Sequence, residues 1–157
     1  MVIAMDNDAF LISKMDDALA LAEAAMAEGE VPVAAIITDA DGMIVAAAAN
    51  RVERDGDATA HAELLAIREA SAKRGQSRLT DCDLWVTLEP CPMCAGAIAH
   101  ARLRRLYYGA DDPKSGGVSH GPRVFSHATC HHKPEIYSGL KAEAASKLLT
   151  KFFKTKR

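Results

Sequence analysis

The feature that most constrains this chain is His61-Ala62-Glu63, followed some thirty residues later by Pro90-Cys91-Pro92-Met93-Cys94. One imidazole and two thiolates are good zinc ligands. A closed structural zinc site has four protein ligands, whereas a catalytic site keeps three and leaves the fourth position to water. Glu63 is not needed as a ligand. It is the carboxylate a catalytic site requires if the protons of that water are to move. A lone Cys-x-x-Cys also fits a redox pair or half of a zinc knuckle. The presence of His61 and Glu63 with Cys91 and Cys94 favours one catalytic zinc per chain. The fold must therefore bring these two segments together.

Local geometry says how. Cys91 and Cys94 are three apart beside Pro92, a residue tolerated in a first helical turn, so both sulfurs share one face at a helix start. The amides and dipole of a helix N-terminus favour thiolates there. His61 and Glu63 are two apart, roughly 200° around a helix. They can share a site only off the helix end, near its axis. The spacing predicts two helix N-termini meeting over one metal.

The remaining pattern is a single domain, residues 1–157. Asp6, Asn7 and Asp8 are candidate caps for a helix whose apolar positions run from Phe10 to Met26, with Gly29 ending it. Val33 to Thr38 and Met43 to Ala49 read as a hairpin about Asp41-Gly42. Residues 51–58 read as a loop, and a second helix is expected from about Thr59 to Arg74. Leu84 to Leu88 is β-rich, and a third helix carries Cys94 to about Ala101. Arg105 to Gly109 reads as a strand, residues 110–133 as a long functional stretch, Ile136-Tyr137 as a short strand, and Leu140 to about Lys156 as a last helix. Strands alternating with helices after a hairpin predict an α/β domain, a three-layer α/β/α sandwich with a mixed sheet. Thirty alanines against eight aromatic residues suit helices packed closely on a sheet.

Charge and cysteine usage narrow the class. The net charge of −2 divides into −10 over residues 1–100 and +8 over residues 101–157. The basic half fits a polyanionic partner or a solvated helix face. No apolar run is long enough to cross a bilayer, and the opening Met1 to Met5 has no basic flank, so a cytoplasmic protein is expected. Four cysteines, two of them in the metal motif, do not make a disulfide framework. Cys130-His131-His132, with His120 and His127, reads as a loop touching substrate rather than a second metal cluster. Asn50, at the end of the second strand, fits either a purine contact or a local turn. Glu89, before Pro90, fits a positioning role.

Glu30-Val31-Pro32-Val33, Asn50, Thr59 to Glu63, Thr87 to Ala97, Tyr108 to Lys114 and the terminal Phe152-Phe153-Lys154 together resemble the bacterial tRNA-specific adenosine deaminases. The metal motif is shared across the wider cytidine deaminase-like superfamily; the other runs are narrower. The resemblance implies a five-stranded cytidine deaminase-like sheet and a homodimer acting on a tRNA anticodon stem-loop. It implies hydrolysis of the wobble adenosine to inosine. His61, Cys91 and Cys94 would bind Zn2+, and Glu63 would shuttle protons. Asn50 would contact the purine. Val33, Ala62, Leu88 and Glu89 would border the base, and Asp112 and His127 would lie by the flanking nucleotides. Phe153 and Lys154, with Lys156 and Arg157, would meet the anticodon loop. Three departures stand out: Ala34 where the family usually has Gly, Ala58 where many members have Pro, and lysines in the tail where arginines are common. The alternatives are a free guanine or cytosine deaminase and, without catalysis, a zinc-stabilised RNA-binding module.

Overall fold

The computed structural model describes residues 2–156, with side chains from residue 8 onward. A mixed five-stranded sheet has strand order β2-β1-β3-β4-β5. Its strands are β1 (Ala34–Thr38), β2 (Ile44–Ala49), β3 (Asp83–Leu88), β4 (Arg105–Ala110) and β5 (Glu135–Tyr137). β1 pairs antiparallel with β2 and with β3, whereas β3–β4 and β4–β5 are parallel. The helices are α1 (Val2–Ala27), α2 (Val52–Asp55), α3 (Ala62–Arg74), α4 (Pro92–Ala101) and α5 (Ala142–Thr155). The expected three-layer α/β architecture is what the chain adopts.

Strand alternation divides the core into two sides. Ala35, Ile37, Leu84, Val86, Leu106 and Tyr108 meet Ala62, Ala66 and Ala70 of α3 and Ala95 and Ile98 of α4. Ile36, Trp85 and Tyr107 face Met15 and Ala18 of α1. The alanines on α3 let that helix lie close on the sheet. The opposite side is filled by aromatics paired across neighbouring strands: Trp85 stacks on Tyr107 at 4.0 Å, and Tyr107 on Tyr137 at 5.0 Å between ring centroids. Ala34 is fully buried. By alternation its methyl faces the α1 side with Ile36, so it fills the sheet face and does not narrow the cavity lined by its neighbour Val33.

Three expectations need correction. α1 runs through positions 6–8 from Val2, so these residues do not cap it; the side chains of Asp6 and Asn7 lie outside the described residues. The 51–58 segment contains α2. Glu30, 2% exposed, accepts the backbone N–H groups of Glu53 and Arg54 at 3.1 and 2.7 Å, satisfying the free amides at that helix start. α3 starts at Ala62 and not near Thr59. The Thr59 hydroxyl and N–H both donate to Asp57, at 2.7 and 2.8 Å, so Thr59 is held in a turn before the helix. The long 110–133 stretch is held by hydrogen bonds and includes a short 3-10 turn, Val124–Ser126.

Candidate metal centre and active site

The late start of α3 solves the geometry of the His-x-Glu pair. His61 is the extended residue just before the helix, and Glu63 lies in its first turn. Cys91 is the equivalent residue before α4, with Pro92 opening that helix and Cys94 in its first turn. Two helix N-termini thus converge as the spacing predicts. The His61 ring makes no cap; its Nδ1 lies 3.6 Å from Cys91 Sγ and 3.5 Å from Cys94 Sγ.

These distances test the fit of a metal directly. Tetrahedral zinc, with bonds of about 2.3 Å to sulfur and 2.0–2.1 Å to nitrogen, needs nitrogen–sulfur separations of about 3.5–3.6 Å. Both nitrogen–sulfur separations therefore match a tetrahedral zinc site, and the three donor atoms lie within 4.8 Å of one another. Among the described residues, Glu89, Asp111 and His120 form the other group of acids and histidines within reach of one another. Its carboxylate Glu89 is surrounded by N–H donors, which do not suit a cation.

Burial and neighbours set the protonation of the centre. Burial pushes the Glu63 carboxyl up to about 7. The Cys91 thiol is drawn down to about 4, first by its hydrogen bond with Cys94 and then, against burial, by that with His61. Cys94 moves the opposite way, because it donates to Cys91 and is buried beside Glu63. The hydrogen bond with Cys91 raises His61. Protein neighbours thus favour a thiolate at Cys91; a bound dication would hold both sulfurs deprotonated.

The centre opens into a cavity of about 320 Å³ lined by Glu30, Val33, Asn50, His61, Glu63, Leu88, Glu89, Cys91, Asp112 and Ser115, among others. That is near the small end of ligand cavities, roughly 300–1,000 Å³, and suits one planar heterocycle. Asn50 Oδ1 accepts the backbone N–H of Ala62 at 2.9 Å. Its oxygen is thereby committed to the start of α3, which leaves the amide NH2 for the cavity. Ala62 itself is fully buried, behind the cavity wall. A larger cleft, about 910 Å³, opens at the other end of the strands against Trp85, Tyr107 and Tyr137. Its two arginines are already paired, Arg104 with Asp83 at 2.8 Å and Arg105 with Glu135 at 3.0 Å, and none of the metal-ligand groups among the described residues lies in it.

Not every expected contact meets in this cavity. His127 lies outside it, its Nε2 2.5 Å from the Pro122 carbonyl oxygen, beside Gly96, Cys130 and His131. Phe153 and Lys154 are on α5, with Phe153 49% exposed, while the adjacent Phe152 is buried. Arg157 lies outside the described residues. Glu30 and Ser115 were missed as parts of the site. Glu30 gave little signal because its partners, Glu53 and Arg54, lie more than twenty residues away.

Comparison with known proteins agrees with this geometry. The cytidine and deoxycytidylate deaminase zinc-binding region matches residues 10–110. Fold and metal centre together define a zinc-dependent deaminase. The chain is 50% identical over 143 residues to a tRNA-specific adenosine deaminase of Agrobacterium fabrum, covering 91% of this chain and 93% of that protein. It superposes with a TM-score of 0.85, at 50% identity, on a structure from work on A-to-I editing by tRNA:A34 deaminases at the wobble position, covering 87% of this chain and 99% of that one. The guanine deaminase of Nitrosomonas europaea gives a TM-score of 0.74 at 26% identity, covering 90% of this chain and 83% of that one. The chain belongs to the tRNA-specific adenosine deaminases of the cytidine and deoxycytidylate deaminase family.

Proposed function

We propose that this protein hydrolyses the wobble adenosine of a tRNA anticodon to inosine, releasing ammonia. The observation that carries this reading is the three-ligand centre of His61, Cys91 and Cys94 with the spare, buried Glu63 beside it, in a chain half identical to tRNA-specific adenosine deaminases. When bound, zinc supplies the Lewis acidity that makes water a nucleophile near neutral pH. Glu63 takes one proton from the attacking water and gives it to the purine ring nitrogen beside the attacked carbon. It then takes the second from the added hydroxyl and gives it to the departing amine, leaving a carbonyl and ammonia. The Asn50 NH2 orients the base by donating to the purine ring, while Val33 and the Leu88-Glu89 backbone border it and Ala62 backs the cavity wall. Asp112 and His127 serve the flanking nucleotides. Phe153 and Lys154 on α5 meet the anticodon loop.

We further read the protein as a cytoplasmic homodimer, with residues 1–157 forming one deaminase domain. The outer face of α4, next to the metal centre, supports this: Met93 is exposed and a side chain at Gly96 would meet only open space. The test of the function is a side-by-side assay of ammonia release from an anticodon stem-loop and from free adenine, guanine and cytosine. Turnover of the stem-loop with the free bases poor is the expected result. Efficient turnover of free guanine or cytosine, with the stem-loop inert, would establish the free-base deaminase instead.

A further inference from the structure

Glu89 directly follows β3, two residues before Cys91, and its side chain is fully buried. A buried carboxylate needs donors, and here they all come from one segment. Oε1 accepts the N–H of Asp112 at 3.0 Å and lies 2.7 Å from His120 Nδ1. Oε2 accepts the N–H groups of Val118, Ser119 and His120 at 3.2, 2.9 and 3.1 Å. The 111–121 segment is thus wrapped around a single side chain. The wrapping explains two glycines. A side chain at Gly116 would overlap the Glu89 carboxylate and the Asp112 carbonyl. One at Gly117 would lie 2.6 Å from the Pro92 nitrogen, and the Gly117 N–H donates to the Pro90 carbonyl at 2.8 Å. The segment is therefore also pressed against the turn that carries Cys91. Its residues Asp112 and Ser115 line the cavity in front of the metal centre.

We propose that Glu89 is a positioning residue for substrate: its carboxylate is the template on which the 111–121 segment folds into the cavity rim. This rests on the function proposed above. Glu89 acts through Asp112 and Ser115 and not on the reacting atoms. Gln at this position has nearly the same shape but replaces one acceptor oxygen by an NH2 group. With the Gln oxygen kept by the three N–H groups of 118–120, the NH2 faces the Asp112 N–H, and the rim loses its tie at that residue.

The test uses the zinc-loaded full chain. Glu89→Gln should retain one zinc per chain and a kcat within about twofold, while KM for an anticodon stem-loop rises at least fivefold. Amide hydrogen exchange should accelerate in residues 111–121 and not in α3 or α4. Gly116→Ala, which leaves Glu89 intact but displaces it, should reproduce the KM rise and the local exchange. A merely structural Glu89 predicts another result: kcat falling with the folded or zinc-loaded fraction, KM unchanged. That result, or unaltered exchange in 111–121 in both variants, overturns the proposal. Inactivity of the unaltered protein on the stem-loop would refute the proposed function instead, and the exchange measurement would still decide whether Glu89 holds the rim.

Discussion

Replacing Asn50 with Asp separates two jobs that one side chain performs. Its oxygen accepts the Ala62 N–H at 2.9 Å, holding the start of the helix that carries Glu63. Its NH2 is the group available to the base in the cavity. Asp keeps the acceptor, and a negative charge at a helix N-terminus is stabilising by about 0.3–1 kcal/mol. It loses the donor and sets an anion against the acceptor nitrogens of a purine. Leaving a desolvated ligand atom without its partner costs about 1–3 kcal/mol, or roughly 5- to 150-fold in kcat/KM at 1.4 kcal/mol per tenfold. Asn50→Ala loses both jobs. It leaves the Ala62 N–H unpaired for about 1–3 kcal/mol of stability, and a domain of this size loses about 2–4 °C of Tm per kcal/mol. The assay is kcat/KM on a stem-loop, with zinc content and Tm from the same preparations. Asn50→Asp should be as stable as the parent, loaded with zinc, and impaired; Asn50→Ala should be both impaired and less stable. An Asp variant with parental kcat/KM, or activity that simply follows Tm across the pair, would refute the assignment of the NH2 group to substrate.

Glu63→Gln should keep one zinc per chain and lose about 10²- to 10⁴-fold in single-turnover rate, the usual contribution of a proton-transfer group; loss of zinc would make Glu63 a ligand. In chelator-stripped protein, the Glu63 carboxyl sits near 7 against an ordinary value of 4.5. Its protonated form favours folding, so its contribution is full below pH 4.5 and is lost as pH rises through about 7; denaturant titrations across that window should show a shallower decline in Glu63→Gln. Ala34→Gly removes a methyl from the α1 side and loosens a strand, which should cost roughly 1–2 kcal/mol of stability and leave kcat/KM unchanged; altered KM would place the methyl in the pocket. Removing the tail from residue 152 would take Phe152 out of the core, so point variants are cleaner. Phe153→Ala should weaken stem-loop binding by about 1–3 kcal/mol if a base stacks on it. Lys154→Gln should lower the salt slope of binding by roughly 0.7–0.9, and unchanged slopes would remove Lys154 from the RNA surface.

The metal centre was readable because its chemistry depends on residue types at fixed local spacings. Cys91 and Cys94 carry their geometry with them, and Pro92 marks the helix start. His61 and Glu63 demanded a helix end between them, and the structure supplies one a single residue after His61. The helix expected from about Thr59 starts later because the Thr59 hydroxyl and N–H both donate to Asp57, which holds Thr59 in the preceding turn. The rest of the site depends on distant partners. Glu30 holds α2 from more than twenty residues away, and Glu89 holds 112–120 from a similar distance. Hydrophobic periodicity gave neither of these, nor the placement of β1 between β2 and β3, because period reports which face of a strand is buried and not which strand lies alongside it.

The central claim is conversion of adenosine to inosine at the wobble position of a tRNA anticodon. Its most direct test is incubation of the zinc-loaded protein with an anticodon stem-loop bearing a wobble adenosine, followed by nuclease mapping and mass analysis of the product. A gain of about one mass unit confined to the wobble nucleotide, absent with Glu63→Gln, is the predicted result. No mass change at that nucleotide, with ammonia released from a free base by the same preparation, would contradict the account.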